Sequence, residues 1–277
     1  MIQSILAPSI APIFDVVRLL RRHRDLTWEM AKREITDRYI GQVAGTLWAL
    51  GHPLVLMAIY VFVFNVVFSA RMGGAADVPG DYTVYLLAGL IPWMAFQEAL
   101  NKSATVMVAN SSLVKQVVFP LEILPIKGIL SAFLTQLIAS ALLVVYMLAT
   151  QGHLPLTILL LPGLWIAQVL ATIGICCVVA AVGAYFRDIK DVIQVGCTAG
   201  MYIMPIFYQP DWVPETIRPL LYLNPFSYLV WCYQDAIYFG RFAHPWAWLV
   251  VAVGSIVVCA VGCRLFQKLK TYLGSVL

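Results

Sequence analysis

The sequence predicts an all-α integral membrane domain with six transmembrane helices, and three observations carry that prediction. Hydrophobic residues make up 61% of the 277 and charged residues only 12%, too little polar surface to cover a soluble globule of this size. Charge-free runs lie between Arg38 and Arg71, between Lys127 and Arg187, and between Arg241 and Arg264. A spanning helix needs about 20 such residues, because hydrocarbon offers its backbone amides no partner outside the helix. Lysine and arginine divide fifteen to three between alternate connecting segments, the asymmetry expected between cytoplasmic and outer sides.

Residues 1–41 read as cytoplasmic interface helices. From Pro12 to Arg24, Asp15, Arg18 and Arg22 oppose Ile13, Val17 and Leu20, an amphipathic pattern that suits either a lipid anchor or a partner's docking surface. A second helix places Trp28, Ala31, Ile35 and Tyr39 on one face, with Glu29–Arg33 and Glu34–Arg38 as i,i+4 pairs on the other. These charged residues lack the apolar core and cleavage site of a signal peptide, so the amino terminus is expected to stay.

Spans one to five occupy residues 42–208: Gln42 to Ala70, Tyr82 to Asn101, Ile123 to Thr150, Leu156 to Phe186, and Val192 to Tyr208. Residues 209–245 follow as an outer segment. Its apolar stretch Leu220 to Gly240 is interrupted by Asn224, Pro225 and Asp235, which favours broken, re-entrant helices over a seventh span. Residues 246–277 hold the sixth span, Trp246 to Cys263, and a basic tail. The fifteen-to-three ratio then places both ends in the cytoplasm. Gly41 with Gly45, and Gly196 with Gly200, have the spacing that lets membrane helices approach closely.

Few residues suit catalysis. Six cysteines lie mostly in apolar runs without CxxC spacing and read as packing residues; Cys259 and Cys263 are one turn apart, but no further ligand lies nearby in sequence, so no metal is expected. His52 is the one titratable group well inside a span, as a capping or packing residue or as a relay. No zinc-protease motif, nucleophile elbow or phosphate-cradling GxxxxGK[ST] occurs. ATP, if it drives this protein, is bound elsewhere. The densest charged motif, FRDIKD at Phe186–Asp191, reads as a short cytoplasmic turn.

Aromatic residues are the distinctive feature at membrane level: Tyr60, Phe62, Phe64 and Phe68, then Trp93 and Phe96, then Tyr202, Phe207, Tyr208 and Trp212. They suit stacking on the C–H faces of sugars and equally an interfacial aromatic belt.

Three segments, Arg24–Phe68, Leu113–Pro125 with FPLEILP, and Phe186–Val230 with LNPFSYLV, resemble in order the permease subunit of bacterial ABC exporters for cell-surface polysaccharides, the O-antigen and teichoic-acid group. The resemblance implies a homodimer with two cytoplasmic ATPase subunits in the bacterial inner membrane, exporting undecaprenyl-pyrophosphate-linked glycan. ATP and magnesium would then belong to the partner, and this chain would bind no cofactor. It implies an aromatic-lined channel, for which Tyr60, Phe64, Trp93, Phe96, Tyr202, Phe207 and Tyr208 are the candidates, and re-entrant helices between spans five and six. The stretch Lys102 to Val117 would correspond to a helix seated in the ATPase, with Ser103, Thr105, Asn110 and Lys115 as coupling residues. Lys32, Arg33 and Arg38 are the candidates at the lipid-pyrophosphate entrance, since guanidinium matches phosphate oxygens. One departure is Leu121, where similar proteins carry a basic residue before Glu122. An ion-coupled transporter and a membrane-embedded glycosyltransferase are the alternatives.

Overall fold

The computed structural model describes residues 18, 21–37, 45–63, 81–115 and 119–276. Every regular element among them is helical: α1 (Arg24–Asp37), α2 (Trp48–Val61), α3 (Tyr82–Ala109), α4 (Ser111–Val114), α5 (Ile123–Gln151), α6 (Leu161–Tyr185), α7 (Ile189–Ile203), α8 (Arg218–Leu223), α9 (Pro225–Gln234) and α10 (Pro245–Val276). Among the described residues four helices are long and apolar enough to cross a membrane: Tyr82–Ala109, Ile123–Gln151, Leu156–Tyr185, which enters α6 through a 3-10 turn, and Pro245–Thr271. The expected first span is described from Gly45 to Val63, with α2 at its centre.

The expected fifth span is helical only to Ile203; α7 has 15 residues, about 22 Å, less than the roughly 30 Å of hydrocarbon. Pro205 ends the helix, since its ring disfavours the α conformation of the residue before it and Met204 is extended with ψ of 155°, and two tyrosines of α3 take carbonyls of the segment that follows: Tyr85 donates to Pro205 O at 3.2 Å and Tyr208 O at 3.0 Å, and Tyr82 donates to Phe207 O.

α3 sits at the centre, touching α5, α6, α7 and α9. Asp81 caps it, accepting from the Thr83 amide at 2.9 Å, and also accepts from Tyr146 of α5 at 2.7 Å. The helix runs on through Lys102 to Ala109, so the first half of the stretch expected as a separate cytoplasmic helix is its last two turns, and in the rest the four residues of α4 form a short helix of their own. Lys102 stays helical here because its ammonium finds Glu98 at 3.0 Å, one turn earlier, and Ser131 at 2.9 Å.

α6 and α10 meet backbone to backbone. A Cβ on Gly262 would stand 2.1 Å from Gly174 O, and one on Gly174 would stand 2.3 Å from Val258 O. Gly183 likewise admits Ala104 of α3, its Cβ falling 2.1 Å from that carbonyl. The anticipated pair Gly196 and Gly200 does not share a helix contact in the protomer: Gly200 rests on the Trp93 ring while nothing lies near Gly196. Gly41 lies outside the described residues.

α8 and α9 form a short helical hairpin. Asn224 and Pro225, which the sequence marks as interruptions, start the second arm: the Asn224 side chain accepts from the Phe226 amide at 3.0 Å and Pro225 fills the first helical position. Before the hairpin Trp212 stacks on Tyr82, and after it Tyr238 and Phe239 pack edge-on to Tyr85. At its turn Phe226 lies 4.6 Å from Phe96 and 5.7 Å from Trp93, ring centre to ring centre. Tyr85 and Phe96 are 11 residues apart on α3, so the hairpin descends and returns over about 16 Å.

α1 packs on the start of α5 through Thr27 and Ala31, with Trp28 outward and 55% exposed. The seam is rotated from the one expected because Glu34 must reach α5, where its carboxylate meets Lys127 at 3.2 Å. Arg33 pairs with Asp37 at 3.4 Å; Tyr39 and Arg38 lie outside the described residues.

Candidate functional site

Several of the described helices leave apolar faces exposed, α10 among them through Leu249, Val253 and Ile256, and α2 and α7 have in addition few neighbours. On α2, Leu50, Leu54, Val55, Ile59 and Phe62 are exposed, an apolar face. On α7 the face is mixed. Asp191, Gln194, Thr198 and Tyr202 recur at intervals of three and four, so they form one stripe, and all four are exposed. With Val195 and Ala199 they line a shallow groove of about 410 Å³. Tyr202, 62% exposed, stacks on Phe207 with centroids 5.6 Å apart, and its phenol lies within electrostatic reach of Tyr60 on α2. A carboxylate, an amide, a hydroxyl and a phenol along one helix, with a second phenol on α2, offer hydrogen bonds and stacking faces that lipid tails cannot use.

The remaining aromatic candidates are placed differently. Trp93 and Phe96 are 6% and 3% exposed and pack against the hairpin through Phe226, so they present no free face in this arrangement. Tyr208 is half-buried and donates to Ile203 O. Phe64 lies outside the described residues.

A buried polar hub holds the centre of the bundle. Gln136 of α5 donates to Gln168 Oε1 of α6 at 2.8 Å and to the Tyr233 hydroxyl of α9 at 3.2 Å. Gln168 donates to Gln136 Oε1 at 2.9 Å and to Pro92 O at 3.0 Å, and Tyr233 donates to Gln168 Oε1. Each donor hydrogen of the three side chains is used. Where α9 ends, fully buried Asp235 accepts from the His244 amide and ring Nδ1, both at 2.9 Å, and from Trp248 at 3.2 Å, while the His244 ring stacks on Trp231. Burial and the nearby Asp81 charge push the Tyr238 phenol up to about 12, so it stays a neutral donor.

At the opposite end Lys102 lies 3.7 Å from Glu34 as well as beside Glu98, and Glu122, 4% exposed, pairs with Lys270 of α10. That partner comes from the far end of the sequence, which is why Leu121 leaves Glu122 compensated. Ser103 is buried within α3, whereas Thr105 and Lys115 are exposed. Asn110 joins α3 to α4, donating to Val106 O at 2.7 Å. Lys32 and Arg33 are exposed on α1, away from the stripe of α7; Arg38 lies outside the described residues.

Sequence reasoning missed Asp191, Gln194 and Thr198, taking the first as part of a turn. The available signal was their helical spacing with Tyr202 inside an otherwise apolar run. It also missed the Gln136–Gln168–Tyr233 hub, for which two lone glutamines deep in charge-free spans were the sign.

Known proteins resemble the chain over most of its length. An O-antigen export system permease protein RfbA of Klebsiella pneumoniae is 27% identical over 248 residues, 89% of this chain and 92% of the relative. A protein of the same name from Myxococcus xanthus is 25% identical over 91% of this chain and 95% of its own length. The polysialic acid transport protein KpsM of Escherichia coli is 22% identical over 85% and 90%. The profile of the ABC-2 type transporter family matches residues 25–238. With a membrane domain of that pattern and a match over most of its length, the chain belongs to the ABC-2 type transporter family.

Proposed function

We propose that this chain is the membrane subunit of an ATP-driven exporter of polysaccharide carried on undecaprenyl pyrophosphate, acting in the bacterial inner membrane as two copies with two cytoplasmic ATPase subunits. The carrying observation is the exposed stripe Asp191–Gln194–Thr198–Tyr202. Facing lipid it would strand polar groups in hydrocarbon; facing a second copy across a wet path it supplies the weak, repeated contacts that a sliding sugar polymer uses. The permeases named for O-antigen and polysialic acid transport support that cargo.

In this reading the chain spans six times, α2 at the core of the first span and α7 with residues 204–208 as the fifth. The α8–α9 hairpin is re-entrant from the outer side, and both ends are cytoplasmic. The partner ATPase binds ATP and magnesium. Asn110 and Lys115, at the turn after α3, contact it, with Ser103 and Thr105 shaping the helix end. Lys32, Arg33 and Arg38 meet the lipid pyrophosphate. Tyr60, Phe64, Tyr202, Phe207 and Tyr208 face the polymer, while Trp93 and Phe96, buried against Phe226, hold the hairpin beside the path.

The test is export of long chains by Tyr60→Ala with Tyr202→Ala. The assembled pair should slow export while basal ATP hydrolysis persists, and Tyr60→Phe with Tyr202→Phe, which retains the stacking faces, should export near normally. Normal export by the alanine pair would make these tyrosines packing residues.

A further inference from the structure

The polar stripe of α7 is one-sided in its chemistry. The elbow that leads into it is balanced, Arg187 and Lys190 against Asp188 and Asp191, all but the last outside the stripe. From Asp191 to Tyr202, 11 residues and about 16 Å of rise, α7 carries no further cation. Neither α2 nor α9 carries a lysine or arginine. Cations on neighbouring helices are engaged: Lys102 of α3 with Glu98 at 3.0 Å, Lys127 of α5 with Glu34 at 3.2 Å, and Arg218 of α8 with the carbonyls of Asp211 and Val213 at 3.4 and 3.3 Å. The hydrogen-bonding groups of the stripe lean the same way. Asp191 is a carboxylate and only accepts, and Thr198 spends its hydrogen on Gln194 O at 2.9 Å, which leaves its oxygen as an acceptor. The Gln194 amide and the Tyr202 hydroxyl supply the donors.

We propose that this stripe selects for polymers without negative charge, with Asp191 and Gln194 as its specificity-determining residues; the inference rests on the reading that the stripe faces the exported polymer. A neutral polysaccharide presents hydroxyl groups at every repeat, and these donate to the Asp191 carboxylate, to Gln194 Oε1 and to Thr198 Oγ while accepting from Gln194 and Tyr202. A polymer with a carboxylate or phosphate at every repeat brings acceptors to a wall made mostly of acceptors. It also meets the Asp191 charge on entering and then no free cation for about 16 Å, twice the distance over which physiological salt screens a charge. Anion pathways solve this with lysine or arginine along the wall, which the described residues of α2, α7 and α9 do not supply beyond Lys190. A second copy repeats the same stripe and adds a second carboxylate rather than a countercharge. The diphosphate of the lipid carrier crosses once per chain, whereas an acidic polymer meets this barrier at each repeat.

Proteoliposomes holding the full chain with its ATPase subunit test it, given two probes of equal length on the same undecaprenyl pyrophosphate carrier, a neutral glucan and a glucuronic acid polymer. The neutral probe should be exported about tenfold faster, a difference of 1.4 kcal/mol. Gln194→Lys, which sets a cation one turn above Asp191, should reduce that ratio to about threefold, half the free energy, and Asp191→Asn should do the same. The ratio is the readout because a loss of assembly lowers both rates together. If the lysine variant exports neither probe, Asp191→Asn decides. Equal export of the two probes by the wild-type chain, or a ratio that neither substitution moves, would overturn this inference and leave the exporter reading standing. Export of neither probe by the wild-type chain would overturn the exporter reading, and the inference with it.

Discussion

Gln168→Leu tests whether the central hub holds the bundle together. The substitution is close in volume and removes four of the five hydrogen bonds among Gln136, Gln168, Tyr233 and Pro92 O, leaving only Gln136 to Tyr233 at 3.2 Å. Side-chain hydrogen bonds between membrane helices average about 0.6 kcal/mol, so four give about 2.4 kcal/mol. Gln136 Oε1, in a side chain 2% exposed, is then left without its donor, and a buried polar group without a partner costs about 1–3 kcal/mol, which brings the expected loss to about 3–5 kcal/mol. Tyr233→Phe breaks two bonds and should cost about 1–2 kcal/mol. The pair should cost less than the sum, because each variant strands groups that the other also strands. Replacing all three, Gln136→Leu, Gln168→Leu and Tyr233→Phe, removes both sides of every side-chain pair and should recover most of the loss. Reversible unfolding in mixed micelles reads all four. A Gln168→Leu loss below about 1 kcal/mol, or strict additivity with Tyr233→Phe, would refute the reasoning.

Gly262→Leu should prevent α6 and α10 from docking, since its Cβ alone falls 2.1 Å from a backbone carbonyl; the reading is loss of the folded peak in detergent gel filtration, with Gly163→Ala, which faces open space, as the control. Lys270→Met should destabilise more than Glu122→Gln, because the first leaves a carboxylate that is 4% exposed without its cation and the second removes the charge; thermal unfolding of the two variants checks the order. Acidic replacement of both Asn110 and Lys115 should uncouple ATP hydrolysis from export and leave membrane insertion unchanged, measured by ATPase rate against exported polymer. Tags before Met1 and after Leu277 should be inaccessible from outside intact cells, and one between Gly73 and Pro79 accessible.

The long spans were legible because their evidence is local. α5, the Leu156–Tyr185 helix and α10 are apolar over windows longer than the bilayer needs, and Gly152, with φ of 71°, ends α5 where the sequence places a turn. The family was legible for a different reason, in three segments kept in order. What stayed hidden is long-range. Glu98, one turn before Lys102, is the local part of its compensation, and Glu34 on another helix and Ser131 complete it from a distance. Glu122 finds Lys270 across 148 positions. The stop of α7 at Ile203 was marked locally by Pro205, but that the non-helical residues after it are tied to α3 through Tyr82 and Tyr85 was not. The aromatic residues were the least legible group. A tryptophan that packs a hairpin and a tyrosine that faces a groove have the same hydropathy, and only neighbours such as Phe226 separate Trp93 from Tyr202.

The packing also divides the molecule energetically. α3, α5, α6, α9 and α10 are joined by the glutamine hub, by backbone contact at Gly174, Gly183 and Gly262, and by Asp235, whose acceptors tie the end of the hairpin to the start of α10. Moving any of these against another breaks buried hydrogen bonds or separates backbones that nothing else fills. α2 and α7 are held otherwise. α2 borders a cavity, and α7 keeps Cys197 buried while most of its remaining surface is exposed. A path wide enough for a polymer has to open and reseal without disrupting its own core, and the least costly way is to move helices whose partners are few. The same two helices carry Tyr60 and Tyr202. The residues proposed to touch a polymer therefore sit on the elements that the rest of the structure leaves freest to move.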